Sequence, residues 1–348
     1  MSEDLAPADG GVTLAFARSL PKAEVHVHLE GSPDADTIED LAGAAGQELP
    51  APRDRLFEFS GLGPFLEFLD WWCSLVRTPE QLARLAYRFA ETEAGWGVRY
   101  ADLTVSPIHW TAWRGRLGAF VETLAHGLAE AEQDGLTPVG LCVSMSRTMS
   151  SSEALGFVEE VAALRHPRVA AVTVDGNEAA VGRTGHVFAP AFEAARRAGL
   201  HVSAHAGESS GPEGVRDAVE ILGAERIEHG VRAIEDPEVV QLLAERRVPL
   251  GVCPWSNVLL GLYPTRSDHP IDALRRAGVP VSVNTDDPAL FGCRLDQEYV
   301  EAARTHGWDR DVVRAVARTS IEASFCDDDA RAALLAELDA AANGGASG

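Results

Sequence analysis

One unit recurs along this chain: a short apolar run, a polar or glycine-rich tip, then a stretch with apolar residues at helical spacing. The apolar runs fall at 23–29, 98–105, 138–143, 169–174, 201–206, 226–230, 249–253 and 280–284, which makes eight strand candidates. Several share a lead-in, such as Arg196-Arg197-Ala198-Gly199 before His201 and Arg275-Arg276-Ala277-Gly278 before Pro280. Each reads as a helix end, a glycine at the left-handed position just past it, and a new strand. Phe188, Phe192 and Ala195 form one helical stripe, and Val215, Val219 and Leu222 another. Strands that alternate with helices imply a parallel sheet, and eight such units predict an α/β fold, a (β/α)8 TIM barrel. An open doubly wound sheet is the competing arrangement, although no Gly-x-Gly-x-x-Gly follows an early strand to mark its dinucleotide-binding form.

No linker or low-complexity block divides the 348 residues, so a single domain over 13–342 is expected. Residues 1–12 and 343–348 are small and polar and read as a disordered start and a frayed end. The stretch 32–97, between the first two strands, is a helical insert. Its segment 65–72 carries more large apolar residues than one buried face needs. It reads either as a helix covering the barrel or as a lid over a flat apolar ligand.

A formal charge of −23 argues against nucleic acid or an anionic membrane surface as partner. Five widely spaced cysteines with no Cys-x-x-Cys argue against a disulfide framework and a thiolate metal site. With no signal-peptide pattern and no apolar run long enough to span a bilayer, a cytoplasmic location is expected. The oligomeric state stays open.

In a barrel of this kind the chemistry gathers at the carboxyl ends of the strands. Here the first strand carries His26-Val27-His28, and alternation points both imidazoles to one face. The fifth ends in His205-Ala206-Gly207-Glu208, the sixth in His229-Gly230, and the eighth in Asp286-Asp287. Taken alone, His-x-His is a weak signal and Asp-Asp before Pro288 fits an N-cap or Asx turn. Together, several imidazoles and carboxylates at four strand ends suit a divalent metal, and three His with one Asp leave zinc room for a water.

The stretches at 20–31, 205–208 (His-Ala-Gly-Glu), 228–230 (Glu-His-Gly), 253–257 (Cys-Pro-Trp-Ser-Asn) and 284–288 (Asn-Thr-Asp-Asp-Pro) resemble, in order, the adenosine deaminase family of the amidohydrolase superfamily. The resemblance covers about residues 20 to 330. It implies one Zn2+ per chain on His26, His28, His205 and Asp286, and a small-molecule purine nucleoside or base as substrate. It makes Glu208 the proton shuttle to ring nitrogen 1, and His229 the group that orients and deprotonates the metal-bound water. Asp287 would meet ring nitrogen 7 and the Gly176 amide ring nitrogen 3. Phe65, Leu66 and Leu69 would close over the purine, with Glu30 near the group on nitrogen 9.

Two departures leave that group open. Glu30 stands where many adenosine deaminases have Asp, as in the adenine and aminodeoxyfutalosine deaminase branches, and the tip 174–178 is shorter than in adenosine enzymes. Gly176 and the Cys-Pro-Trp-Ser stretch lean back toward nucleosides. The expectation is therefore hydrolytic deamination of a 6-aminopurine nucleoside, with adenine deaminase and aminodeoxyfutalosine deaminase as alternatives. A two-metal hydrolase bridged by a carboxylated lysine lacks its lysine, since Lys22 is the chain's single one. A non-catalytic barrel would be expected to have lost one of Glu208, His229 or Asp287.

Overall fold

Arg196 and Arg276 each lie at a helix end, and the glycines that follow, Gly199 at φ +83° and Gly278 at φ +89°, take the left-handed conformation read from the sequence. The structure, a computed structural model, describes residues 11–344. After α1 (Leu14–Ser19) comes β1 (Lys22–His28), then the insert with α2 (Ala35–Ala45), α3 (Leu62–Cys73) and α4 (Pro79–Gly95). There follow β2 (Val98–Val105), α5 (Leu117–Gln133), β3 (Val139–Ser146), α6 (Ser151–Leu164), β4 (Val169–Asp175), α7 (Glu178–Val181) and α8 (Gly185–Arg197). The second half runs β5 (His201–Ala206), α9 (Pro212–Asp217), β6 (Arg226–His229), α10 (Pro237–Arg246), β7 (Leu250–Val252), α11 (Pro254–Leu259), α12 (Ile271–Arg276) and β8 (Val281–Val283). Three helices, α13 (Leu295–His306), α14 (Arg310–Ala323) and α15 (Asp328–Gly344), end the chain.

The eight strands lie in sequence order, each parallel to the next. The last returns to the first through a parallel bridge between Val27 and Asp286, with His28 N–H donating to Asp286 O at 2.8 Å and Asp286 N–H to His26 O at 3.1 Å. This is the (β/α)8 barrel expected. That closure also sets the first and last strand tips, and so His26, His28 and Asp286, side by side.

The strands are buried almost throughout because helices cover the outside and side chains fill the inside. Local signals agree with the packing. Thr78 and Gln81 form a capping box around Pro79 at the head of α4, and Ser150 with Glu153 does the same for α6. The stripe Phe188, Phe192 and Ala195 is fully buried on α8. Val215, Val219 and Leu222 are buried too, although their helix widens into a π turn over 218–222.

Two expectations at the ends need correction. Val12, read as part of a disordered start, is fully buried in the core, and α15 runs through Gly344. Residues 1–10 and 345–348 lie outside the described residues. Among the described residues no helix is long and apolar enough to cross a membrane.

Candidate active site

Strand alternation brings His26 and His28 to one end of the barrel, their ring centroids 5.7 Å apart. Nitrogen and oxygen atoms of His26, His205, His229 and Asp286 all lie within 4.8 Å of one another. His28 joins them: its Nε2 is 3.0 Å from His205 Nε2 and 3.5 Å from Asp286 Oδ1. The fourth imidazole beside Asp286 is therefore His229, in addition to the three named with it from the sequence.

Backbone strain marks the same place. Four non-glycine residues among those described have positive φ. Arg165 and Arg247 are helix caps, whereas His229 at +65° and Asp286 at +68° sit at strand tips in the cluster. Left-handed backbone at such residues costs about 1–3 kcal/mol and persists where surrounding contacts hold it. For Asp286 those contacts are the two hydrogen bonds to β1 and the Ser256 hydroxyl, which donates to Oδ2 at 2.6 Å.

The donor set fits a divalent cation. His26 Nδ1 faces Gly251 O at 2.7 Å and takes the donor role there, which leaves Nε2 bare, and this nitrogen is buried with no hydrogen-bond partner. Burial alone would lower the basicity of His26, yet Asp286 and Glu228 outweigh it and push its pKa up to about 9. The local field thus asks for positive charge at this point, from a proton or from a metal. Burial raises Asp286, but His26, His229 and His28 hold it well below the usual carboxylate range. His205 is pushed well below its ordinary value by burial and by His26 and His28, so it stays neutral. Imidazole nitrogens beside an ionised carboxylate are the donor set that zinc takes.

The neighbouring acids are held in the opposite state. Burial first, then Asp286 and Glu178, pushes Glu208 up to about 8. Asp287 is driven well above the carboxylate range by burial with Asp286, Glu30 and Glu208 nearby. The surroundings of both therefore favour the protonated form. Glu208 Oε1 lies 3.6 Å from His229 Nε2.

These groups open into one cavity of about 290 Å³. His28, His205, His229, Glu208, Asp286 and Asp287 line its polar part. Gly176 and Glu30 form further walls, and Phe65, Leu66 and Leu69 of α3 face it from the insert. In segment 65–72, Phe68 and Trp72 are buried in the core as a covering helix requires, while Phe65, Leu66 and Leu69 line the cavity. His26 alone of the predicted site residues does not line the cavity. It lies fully buried beside Asp286, 3.4 Å from Nε2 to Oδ1.

Glu30 is less free than the sequence suggests. Its Oε1 accepts the Ser106 N–H at 2.8 Å and the Trp110 indole N–H at 2.5 Å, and only Oε2 is left buried without a partner.

Some contributors escaped sequence reasoning. Glu178, at the head of α7, accepts the N–H groups of Gly207, Glu208, Ser209 and Ser210 and so shapes the loop that carries Glu208. Arg147, also buried, donates to His205 O and to Thr184 Oγ1. Asn257 and His269 stand behind His229. Glu178 and Asn257 lie inside the quoted motifs, so adjacency was a signal. Nothing local marks Arg147 or His269.

A family model described as adenosine deaminase matches residues 21–341. An aminodeoxyfutalosine deaminase of Streptomyces coelicolor is 37% identical, over 93% of this chain and 85% of its own. An adenine deaminase of Rhizobium rhizogenes is also 37% identical, over 92% of this chain and 99% of its own. A crystal structure of a Burkholderia ambifaria amidohydrolase with bound zinc superposes with a TM-score of 0.86 at 29% identity, covering 99% of each chain. The family model spans nearly the whole barrel and the relatives are deaminases along nearly their whole length. The chain therefore belongs to the adenosine deaminase family of hydrolytic amidohydrolases.

Proposed function

We propose that this chain hydrolyses the 6-amino group of a purine nucleoside, plain or modified at the 5′ position, to the 6-oxo product and ammonia. One zinc ion per chain would be held by His26, His28, His205 and Asp286, and it would supply the Lewis acidity that brings a water's pKa toward about 7. The observation that carries the reading is the buried Glu208, raised to about 8 and facing the same cavity as the His/Asp cluster. Attack at carbon 6 builds electron density in the ring, and a protonated carboxyl can relieve it at nitrogen 1.

The other walls suit a purine. The protonated Asp287 donates to the nitrogen 7 lone pair, and the Gly176 amide serves nitrogen 3. His229 orients the attacking water. Phe65, Leu66 and Leu69 cover the ring face and keep other water out. Glu30 Oε2, buried and without a partner, accepts a sugar hydroxyl. Ile108 and Val181, both exposed, line the same cavity and offer apolar contact to a 5′ substituent.

A second reading, free adenine, is favoured by the full-length match to an adenine deaminase and by the two N–H donors that already occupy Glu30 Oε1. A panel of adenosine, 5′-substituted adenosines and adenine separates the two by catalytic efficiency. A nucleoside is expected to lead adenine by at least about tenfold, since a site built around a hydroxyl rejects an analogue without it. Adenine as the better substrate would replace the nucleoside reading.

A further inference from the structure

Behind His229 runs a chain of hydrogen bonds whose polarity is fixed at its far end. The backbone N–H of Ile271 donates to His269 Nδ1 at 3.3 Å, and a backbone amide can only donate. His269 Nδ1 is therefore bare, and the proton of this neutral ring sits on Nε2. The ring is buried, which lowers its pKa to about 3 and keeps it neutral. His269 Nε2 lies 3.1 Å from Asn257 Oδ1, so the oxygen of Asn257 faces His269 and its amide nitrogen faces the other way. That nitrogen, a donor only, lies 3.2 Å from His229 Nδ1. His229 must accept there, which places its own proton on Nε2, the nitrogen 3.6 Å from Glu208 and 3.8 Å from Asp286 Oδ2.

We propose that Ile271, His269 and Asn257 act as a relay that locks His229 in the Nε2–H tautomer, so that His229 donates a hydrogen bond to the attacking oxygen and does not take its proton. Asn257 and His269 are positioning residues, each acting through His229. The inference rests on the deaminase reading for its catalytic meaning, and its polarity is the reverse of the base role that the family resemblance implies. A ring nitrogen that already bears a proton has no lone pair for the water's proton. The proton passes to a carboxylate, and Glu208, 3.6 Å from the same Nε2, can take it once it has given its own proton to ring nitrogen 1. One proton leaves Glu208 for ring nitrogen 1 and one returns from the water, and the hydroxyl proton left on carbon 6 passes to the departing amine, which leaves as ammonia, with His229 unchanged.

All three side chains are buried: Asn257 fully, His229 at 1% exposure and His269 at 3%. Bulk water therefore cannot scramble the order. Asn257 is also fixed from its backbone, whose oxygen accepts the N–H of Leu262 at 2.9 Å and whose N–H donates to Cys253 O at 3.1 Å. The Tyr263 ring packs edge-on against His269 at 5.0 Å.

The test is nitrogen NMR of the zinc-loaded protein with ring-labelled histidine, His229 being assigned by its disappearance in His229→Gln. The relay predicts a neutral His229 with a bare Nδ1 and a protonated Nε2. Asn257→Asp presents only acceptors, so it should move the proton to Nδ1 and lower kcat by about 10²-fold or more with KM within a few-fold. His269→Leu should cost at least tenfold in kcat, and His269→Gln, whose amide can still donate to Asn257, should recover most of that loss. A wild-type His229 protonated on Nδ1 overturns the proposal, whether or not the variants fold. So does an Asn257→Asp protein with the reversed tautomer and undiminished kcat. If wild type deaminates no purine, the functional reading falls, while the tautomer spectrum still decides the relay.

Discussion

Glu178→Ala removes an acceptor that four consecutive N–H groups share. The carboxylate is 2% exposed and also takes the Ser210 hydroxyl at 2.8 Å. The N–H groups of Gly207 and Glu208, at 3.2 and 2.9 Å, are buried, whereas those of Ser209 and Ser210 are only partly so. Water admitted by the smaller side chain can satisfy the last two. Counting only the two buried donors, at about 1.5 kcal/mol each for a bond to a charged acceptor, gives a loss of about 3 kcal/mol. At roughly 2 °C per kcal/mol for a chain of this size, the melting temperature should fall by roughly 6 °C. Activity should fall further than stability explains. The same amides hold Glu208 in place, and a displaced general acid loses about 10²-fold. Glu178→Gln, which keeps one oxygen, should fall between wild type and the alanine variant in both respects. Thermal unfolding alongside turnover of the folded fraction checks this. An alanine variant within 1 °C and threefold of wild type would refute the view that Glu178 builds the loop.

Glu208→Gln should keep the fold and lose about 10²- to 10⁴-fold in turnover, because an amide cannot pass a proton to nitrogen 1. In metal-free protein it should also become more stable than wild type as pH rises. The Glu208 carboxyl ionises near 4.5 when unfolded and at about 8 when folded, so the unfolded state binds fewer protons across that window and wild-type stability falls through it; a gap that stays constant from pH 5 to 8 would argue against the raised pKa. Elemental analysis should find one zinc per chain, lost in Asp286→Asn, and two metals per active chain would refute the four-residue site. Glu30→Ala should weaken the nucleoside more than adenine and so narrow their ratio; an unchanged ratio would remove Glu30 from recognition of the sugar.

The barrel was legible because its signals are local. Apolar runs, polar tips and glycines after helix ends repeat, and each can be read within a dozen residues. The cluster was legible in part: strand alternation and the strand-end rule gather His26, His28, His205, His229, Asp286 and Asp287 at one end of the barrel, while the choice of four among them came from the family resemblance. Val12 was misread because small polar neighbours mask a residue that the barrel buries. Glu30 was half-read: its place in the cavity follows from β1, but the donors on Oε1 come from Ser106 and Trp110, well along the chain. His269 was invisible for the same reason. It lies 40 residues after His229, in a loop with no periodicity, and only the folded chain brings it behind Asn257.

Hydrolysis at carbon 6 of a purine can be read in a single incubation. Zinc-loaded protein is mixed with adenosine in ¹⁸O-labelled water, and the purine mass and the ammonia are followed together. The expected result is one solvent oxygen gained by the ring for each ammonia released, with the bond between base and sugar intact. Release of free base with no ammonia, or no change in any 6-aminopurine offered to zinc-replete protein, would rule out hydrolysis at carbon 6.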